Sequence, residues 1–115
     1  MGQELTFDDL QEQMKQSRID CKACIGSQCI DYAAHYTSLM SYVRTLAIGK
    51  KQEAYALCVT ETANGQTSAK AEAIMKASDE NKEYLIYNGY SDDLLEQVRN
   101  LRAKGKGDDR EKQVT

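Results

Sequence analysis

The chain has 115 residues, the size of one ordinary domain, with a formal net charge of −3, no proline, no tryptophan and four cysteines. It is not a basic protein, and no apolar run approaches the roughly 20 residues of a membrane-spanning helix. The opening MGQELTFDD has neither a basic start nor an apolar stretch, so the expected setting is the cytoplasm, without a secretory signal and with reduced thiols.

The first predicted element starts at Leu5-Thr6-Phe7-Asp8-Asp9-Leu10. Thr6 is a suitable cap, and Asp8 and Asp9 suit the positive end of a helix dipole. Phe7, Leu10 and Met14 recur at helical spacing. This helix is expected to be short and to end near Ser17. Residues 18–27 then read as a connector punctuated by Gly26 and Ser27.

From residue 28, Cys29, Ala33, Tyr36, Met40, Val43 and Ala47 recur every three or four positions, and the stripe resumes at Ala54, Leu57 and Cys58. A helix over 28–61 is about 50 Å long at 1.5 Å per residue. No small core covers such a length, so the helix needs an antiparallel neighbour or a second subunit. Ala63-Asn64-Gly65-Gln66 marks a turn. An alanine-rich helix follows from Ser68, with a possible new turn at Ser78-Asp79-Glu80. Tyr84, Leu85 and Tyr87 continue the apolar side. Gly89 to Asp93 reads as a stop and a fresh cap. Leu94, Leu95, Val98 and Leu101 form a last amphipathic helix, and residues 105–115 read as a solvated, disordered tail. A rival reading stays open at 55–68, where Asn64-Gly65 between apolar flanks also fits a β-hairpin.

Three cysteines lie in Cys21-Lys22-Ala23-Cys24-Ile25-Gly26-Ser27-Gln28-Cys29. With His35 they offer a Cys₃His set for a small zinc-stabilised module. Cys29 also falls on the apolar stripe, where packing explains it. A thioredoxin-like site needs a strand before Cys-x-x-Cys, and none is predicted. Packing is the reading adopted, so no metal site and no cofactor are assigned. The single histidine lacks an orienting partner and the glycines form no phosphate loop, so no enzyme is expected.

Residues 32–51 hold no acidic residue and interleave Tyr32, Tyr36 and Tyr42 with His35, Arg44, Lys50 and Lys51. Cations beside aromatic rings are what single-stranded nucleic acid requires. Arg44, Lys50, Lys51 and Lys70 are the candidate nucleic-acid-binding residues.

LQE at 10–12, Lys15, Ile19-Asp20, the tyrosine-containing helix, Ser68-Ala-Lys-Ala-Glu-Ala and the stretch from Leu95 to Arg102 together resemble the UvsY-type recombination-mediator proteins of tailed bacteriophages. The resemblance implies a non-enzymatic accessory protein of DNA recombination or replication. Such a protein forms homo-oligomeric rings, binds single-stranded DNA, and contacts a recombinase and a single-strand-binding protein in the bacterial host cytoplasm. No functional residue is carried over by motif.

The expectation is therefore an all-α chain with one helical domain over 1–104: a short N-terminal helix, a long antiparallel helical hairpin, and a disordered tail over 105–115. Oligomerisation through the apolar stripes is expected, with no membrane partner. The alternative function is a helical adaptor or inhibitor that acts only through protein–protein contacts.

Overall fold

The computed structural model describes the backbone of residues 5–114 and the side chains of residues 5–106. Among the described residues there is no strand. Four α-helices follow one another: α1 Phe7–Ala23, α2 Ser27–Ala63, α3 Ser68–Ala77 and α4 Asp79–Val114. The long helices α2 and α4 pack against each other as a helical hairpin.

The caps explain where the helices begin and end. Thr6 Oγ1 accepts from the Asp9 amide at 3.1 Å, and Asp9 Oδ2 accepts from the Thr6 amide at 3.0 Å. This reciprocal box satisfies two donors that a helix start leaves open. At the end of α2, the Gln66 amide donates to Glu61 O (3.0 Å) and the Gly65 amide to Thr62 O (3.1 Å). Gly65 has φ +94°, which a residue without Cβ adopts cheaply. Asn64-Gly65 is thus the end of a helix in a Schellman arrangement, not the tip of a β-hairpin. Thr67 caps α3. Ser78 alone separates α3 from α4: its hydroxyl donates to Met75 O (2.6 Å) and accepts from the Asn81 amide (3.1 Å).

Three boundaries differ from those expected. α1 does not end near Ser17 but runs to Ala23. Nothing between residues 18 and 23 breaks a helix, and tertiary contacts hold that turn. α4 does not stop at Gly89–Asp93. Gly89 keeps a negative φ, and Ser91, which looked like a cap, is buried inside the helix. Helix also continues through 105–114, where a tail was expected. Gly105 is buried, and a Cβ there would lie 2.7 Å from Ile30 Cδ1. Its bare Cα lets α4 approach α2 closely at that level.

The chain divides into two compact units. The first comprises Met1–Met40 with Asp92–Thr115, the second Ser41–Ser91. In the first, α1 lies with the start of α2 and the end of α4. Leu10, Met14, Tyr36, Leu39, Met40, Leu94, Val98 and Leu101 form a buried core. Fully burying a side chain of this size stabilises by about 1.5–3 kcal/mol. Polar ties surround that core. Tyr36 donates to Asp20 Oδ2 (2.5 Å) and Arg18 pairs with Asp93 (2.9 Å). Lys104 Nζ reaches the Cys21 and Lys22 carbonyls at 3.4 and 3.2 Å. A cation there satisfies acceptors left open at the C-terminal end of α1.

The second unit holds the end of α2, all of α3 and the start of α4. Pairs such as Arg44–Ser91 and Lys50–Glu83 place α2 and α4 antiparallel within it. Its buried hydrophobic residues are Val43, Ala47, Ala54 and Ala71. Its large apolar residues Ile48, Tyr55, Val59, Ile74, Leu85 and Ile86 are exposed.

Candidate binding groove

The distinctive surface of the second unit begins with Ala54 and Ala71, which are 2 % and 0 % exposed. Interiors tolerate few voids, so helices that approach closely place small side chains at the contact. A helix turns about 100° per residue, so the residue next to a buried alanine faces away from that contact. Tyr55, next to Ala54, is 66 % exposed. On α2, Ile48, Tyr55 and Val59 fall seven and four residues apart, so they share one helix face.

Tyr55 stands between two hollows. One, of about 440 Å³, is lined by Lys51, Gln52, Ala54 and Tyr55 of α2, Met75 of α3, and Asn81 and Tyr84 of α4. The other, of about 420 Å³, is lined by Tyr55, Cys58, Val59, Thr62 and Ala63. Side chains such as Met75, Tyr84 and Val59 give both hollows a largely apolar wall. An aromatic ridge flanked by such hollows accepts apolar side chains from an incoming surface.

The candidate cations are mostly committed within the unit. Arg44 Nε donates to Ser91 Oγ at 3.0 Å. Lys50 bridges Glu83 (2.8 Å) and Glu53 (3.3 Å). Hydrogen bonds to Glu83 and then Glu53 push its pKa up to about 12. Lys51 Nζ lies 5.7 Å from the centre of the Tyr84 ring and pairs with no carboxylate among the described residues. Lys70 is exposed in the first turn of α3, its amide donating to Thr67 Oγ1. Arg44 and Lys51 are two turns apart on α2, whereas no hydrogen bond or ion pair among the described residues joins Lys70 to the other three.

Of the tyrosines read as a possible stacking surface, Tyr36 is core. It is 1 % exposed, and burial followed by its bond to Asp20 raises its pKa well above the usual phenol range. Tyr32 stacks on Tyr36 at 6.3 Å between centroids, and His35 meets Tyr36 edge-on at 4.8 Å. Tyr87 is half-buried, with its pKa raised first by that burial and then by Glu83.

Cys24 and Cys29 are buried, Cys21 and Cys58 half-buried. His35 is exposed on α2. Among the described residues no group of three or more His, Cys, Asp or Glu side chains is placed to hold a metal ion. The Cys21, Cys24, Cys29 and His35 set of the zinc alternative is therefore not assembled.

Sequence reasoning placed Leu85 and Cys58 on buried faces and did not single out Tyr55 or Met75. A signal for the groove was present in the alanines. Where the buried positions are Ala47 and Ala54 on α2 and Ala71 on α3, little apolar volume is buried and larger apolar residues stay outside.

No helix among the described residues is long and apolar enough to cross a membrane. No protein-family model matches the chain, and neither a curated protein nor a solved structure does.

Proposed function

We propose that this chain is a non-catalytic helical interaction protein that clasps a second copy of itself through the Tyr55 groove of its second unit. The observation that carries this reading is the inversion of side-chain size there. Small residues are buried, while Ile48, Tyr55, Val59 and Leu85 are each more than half exposed. Tyr55 and Val59 line one hollow together, and covering such exposed apolar side chains with another surface removes them from water. The charge balance favours a like partner. Residues 41–91 contain six Lys or Arg and six Asp or Glu, so two copies of this unit meet without net repulsion.

The test is mass in solution by sedimentation, for the full chain and for Tyr55→Glu and Val59→Glu. The expected result is a concentration-dependent dimer or larger assembly that both charged variants dissociate, with helical circular dichroism retained. A wild-type chain that stays monomeric at about 100 µM, well above a micromolar Kd, removes the reading.

A second reading rests on Lys51. Its ammonium lies free of carboxylates among the described residues and lines the same hollow as exposed Tyr55 and Tyr84. A cation beside rings suits a stacked base of single-stranded DNA, as in the recombination-accessory role the UvsY-type resemblance implies. Arg44, Lys50 and Lys70 are the further cations of that role. Oligonucleotide binding that weakens steeply with salt and is lost in Lys51→Gln supports this role. Absent binding at low salt ends it. Recombinase and single-strand-binding partners are proposals that depend on that outcome.

A further inference from the structure

The corner between α1 and α2 carries a second chemistry. Cys24 is the residue that ends α1, and Cys29 lies in the first turn of α2. Both are fully buried, at 2 % and 0 % exposure, and their sulfurs are 2.9 Å apart. Between them the chain turns through Gly26, whose φ is +60°. A disulfide is about 2.05 Å long, so bond formation needs the sulfurs to close by less than roughly 1 Å. Cys21 stands one helical turn before Cys24 and is half-buried, so it is the outermost thiol of the three. The Cys24 thiol points back along that turn, 3.9 Å from the Cys21 carbonyl. Lys104 Nζ lies on the same carbonyl; burial and then Cys24 nevertheless hold the Cys21 thiol above the usual thiol range, the Lys104 charge offsetting only part of this.

We propose that Cys24 and Cys29 form a reversible disulfide site, and that Cys21 is the thiol through which a low-molecular-weight disulfide oxidises them. The Cys21 thiolate attacks the small disulfide, giving a mixed disulfide and one released thiolate. Cys24 then attacks the Cys21 sulfur, and the second small thiolate leaves. Cys29 attacks the Cys24 sulfur and returns Cys21 as a thiolate. In sum, Cys24 and Cys29 are oxidised, one small disulfide is reduced to two thiols, and the two protons from the cysteines end on those thiols. The product staples the end of α1 to the start of α2 across Ile25–Gln28. Closing a loop in the unfolded chain raises stability, so oxidation acts as a clamp on the first unit.

The experiment exposes the full chain to oxidised glutathione, alkylates it with iodoacetamide, digests it with trypsin and weighs the peptides. Trypsin separates Cys21 (residues 19–22) from Cys24 and Cys29 (residues 23–44). The expected product is peptide 23–44, unalkylated and lighter by two hydrogens, with the melting temperature raised by about 5 °C or more. Cys24→Ser and Cys29→Ser each abolish it. Cys21→Ser yields the same product at least about tenfold more slowly, because the buried pair then meets the oxidant only when the corner opens. The site is overturned if peptide 23–44 remains fully alkylated, keeps a glutathione adduct, or is linked to 19–22. An unchanged rate in Cys21→Ser overturns the relay.

Discussion

The two units are built from parts of the same two long helices, yet they bury opposite kinds of residue. The first buries Tyr36, Leu94, Val98 and Leu101 and fastens α1 with Asp20, Asp93 and Lys104. The second buries Val43 and three alanines and leaves Ile48, Tyr55, Val59 and Leu85 outside. At about 0.8 kcal/mol per buried methylene, an alanine contributes far less than the 1.5–3 kcal/mol of a buried leucine. The first unit therefore carries most of the apolar burial of one copy; both units leave apolar side chains outside, the first Phe7, Ile19, Ile25 and Ile30, the second six including Tyr55.

The sharpest way to break that comparison uses two leucines of α4. Leu94→Ala, at a position with no exposure, is expected to lower unfolding free energy by about 3 kcal/mol in chemical denaturation. Leu85→Ala, 58 % exposed, is expected to stay within about 0.5 kcal/mol when measured on dilute monomer. Equal costs at the two sites would dissolve the distinction. Next in size, Tyr36→Phe removes the bond to the Asp20 carboxylate and is expected to cost about 1.5–2 kcal/mol. The raised phenol pKa sets the sign with pH. The wild-type advantage over the phenylalanine variant is full below about 10, where neither folded nor unfolded tyrosine ionises. It shrinks as pH rises beyond 10 and the unfolded phenol loses its proton. Urea titrations of both proteins between pH 7 and 11 read this directly.

Gln97 gives the opposite effect in the first unit. It is 9 % exposed, and its Oε1 accepts no hydrogen bond from the described residues. Gln97→Leu is expected to stabilise by about 1 kcal/mol, seen as a higher denaturation midpoint at unchanged slope. The smallest effect belongs to the second unit. Lys50→Met breaks the bridge between Glu53 and Glu83 and is expected to cost about 0.5 kcal/mol, since these carboxylates are largely solvated. Because the folded pKa of Lys50 is raised from 10.5 to about 12, the contribution is complete below 10.5. It disappears as pH rises through 12. A pH-independent difference between Lys50→Met and wild type would show that packing, not charge, is what the substitution removes.

Helices, their hairpin order and much of the first unit's core are legible in the order of residues alone. Periodic apolar residues, an absence of proline, and caps at Thr6, Thr67 and Ser78 are local signals, and each acts where it is written. That order also located the stripe from Cys29 to Ala47. Tertiary structure decided what local signals leave open. Asn64-Gly65 suits a hairpin or a helix end, and the surrounding helices select the latter. Gly89 to Asp93 has the composition of a stop, yet Ser91 is buried against the neighbouring helix and α4 runs on. Periodicity names an apolar face but not its depth. Burial of Ala54 and Ala71 leaves Tyr55 facing out, and at the other corner the turn through Gly26 brings the Cys24 and Cys29 sulfurs to 2.9 Å. Depth of burial arises from packing between segments far apart in the chain, such as Arg44 with Ser91, which no window of sequence contains.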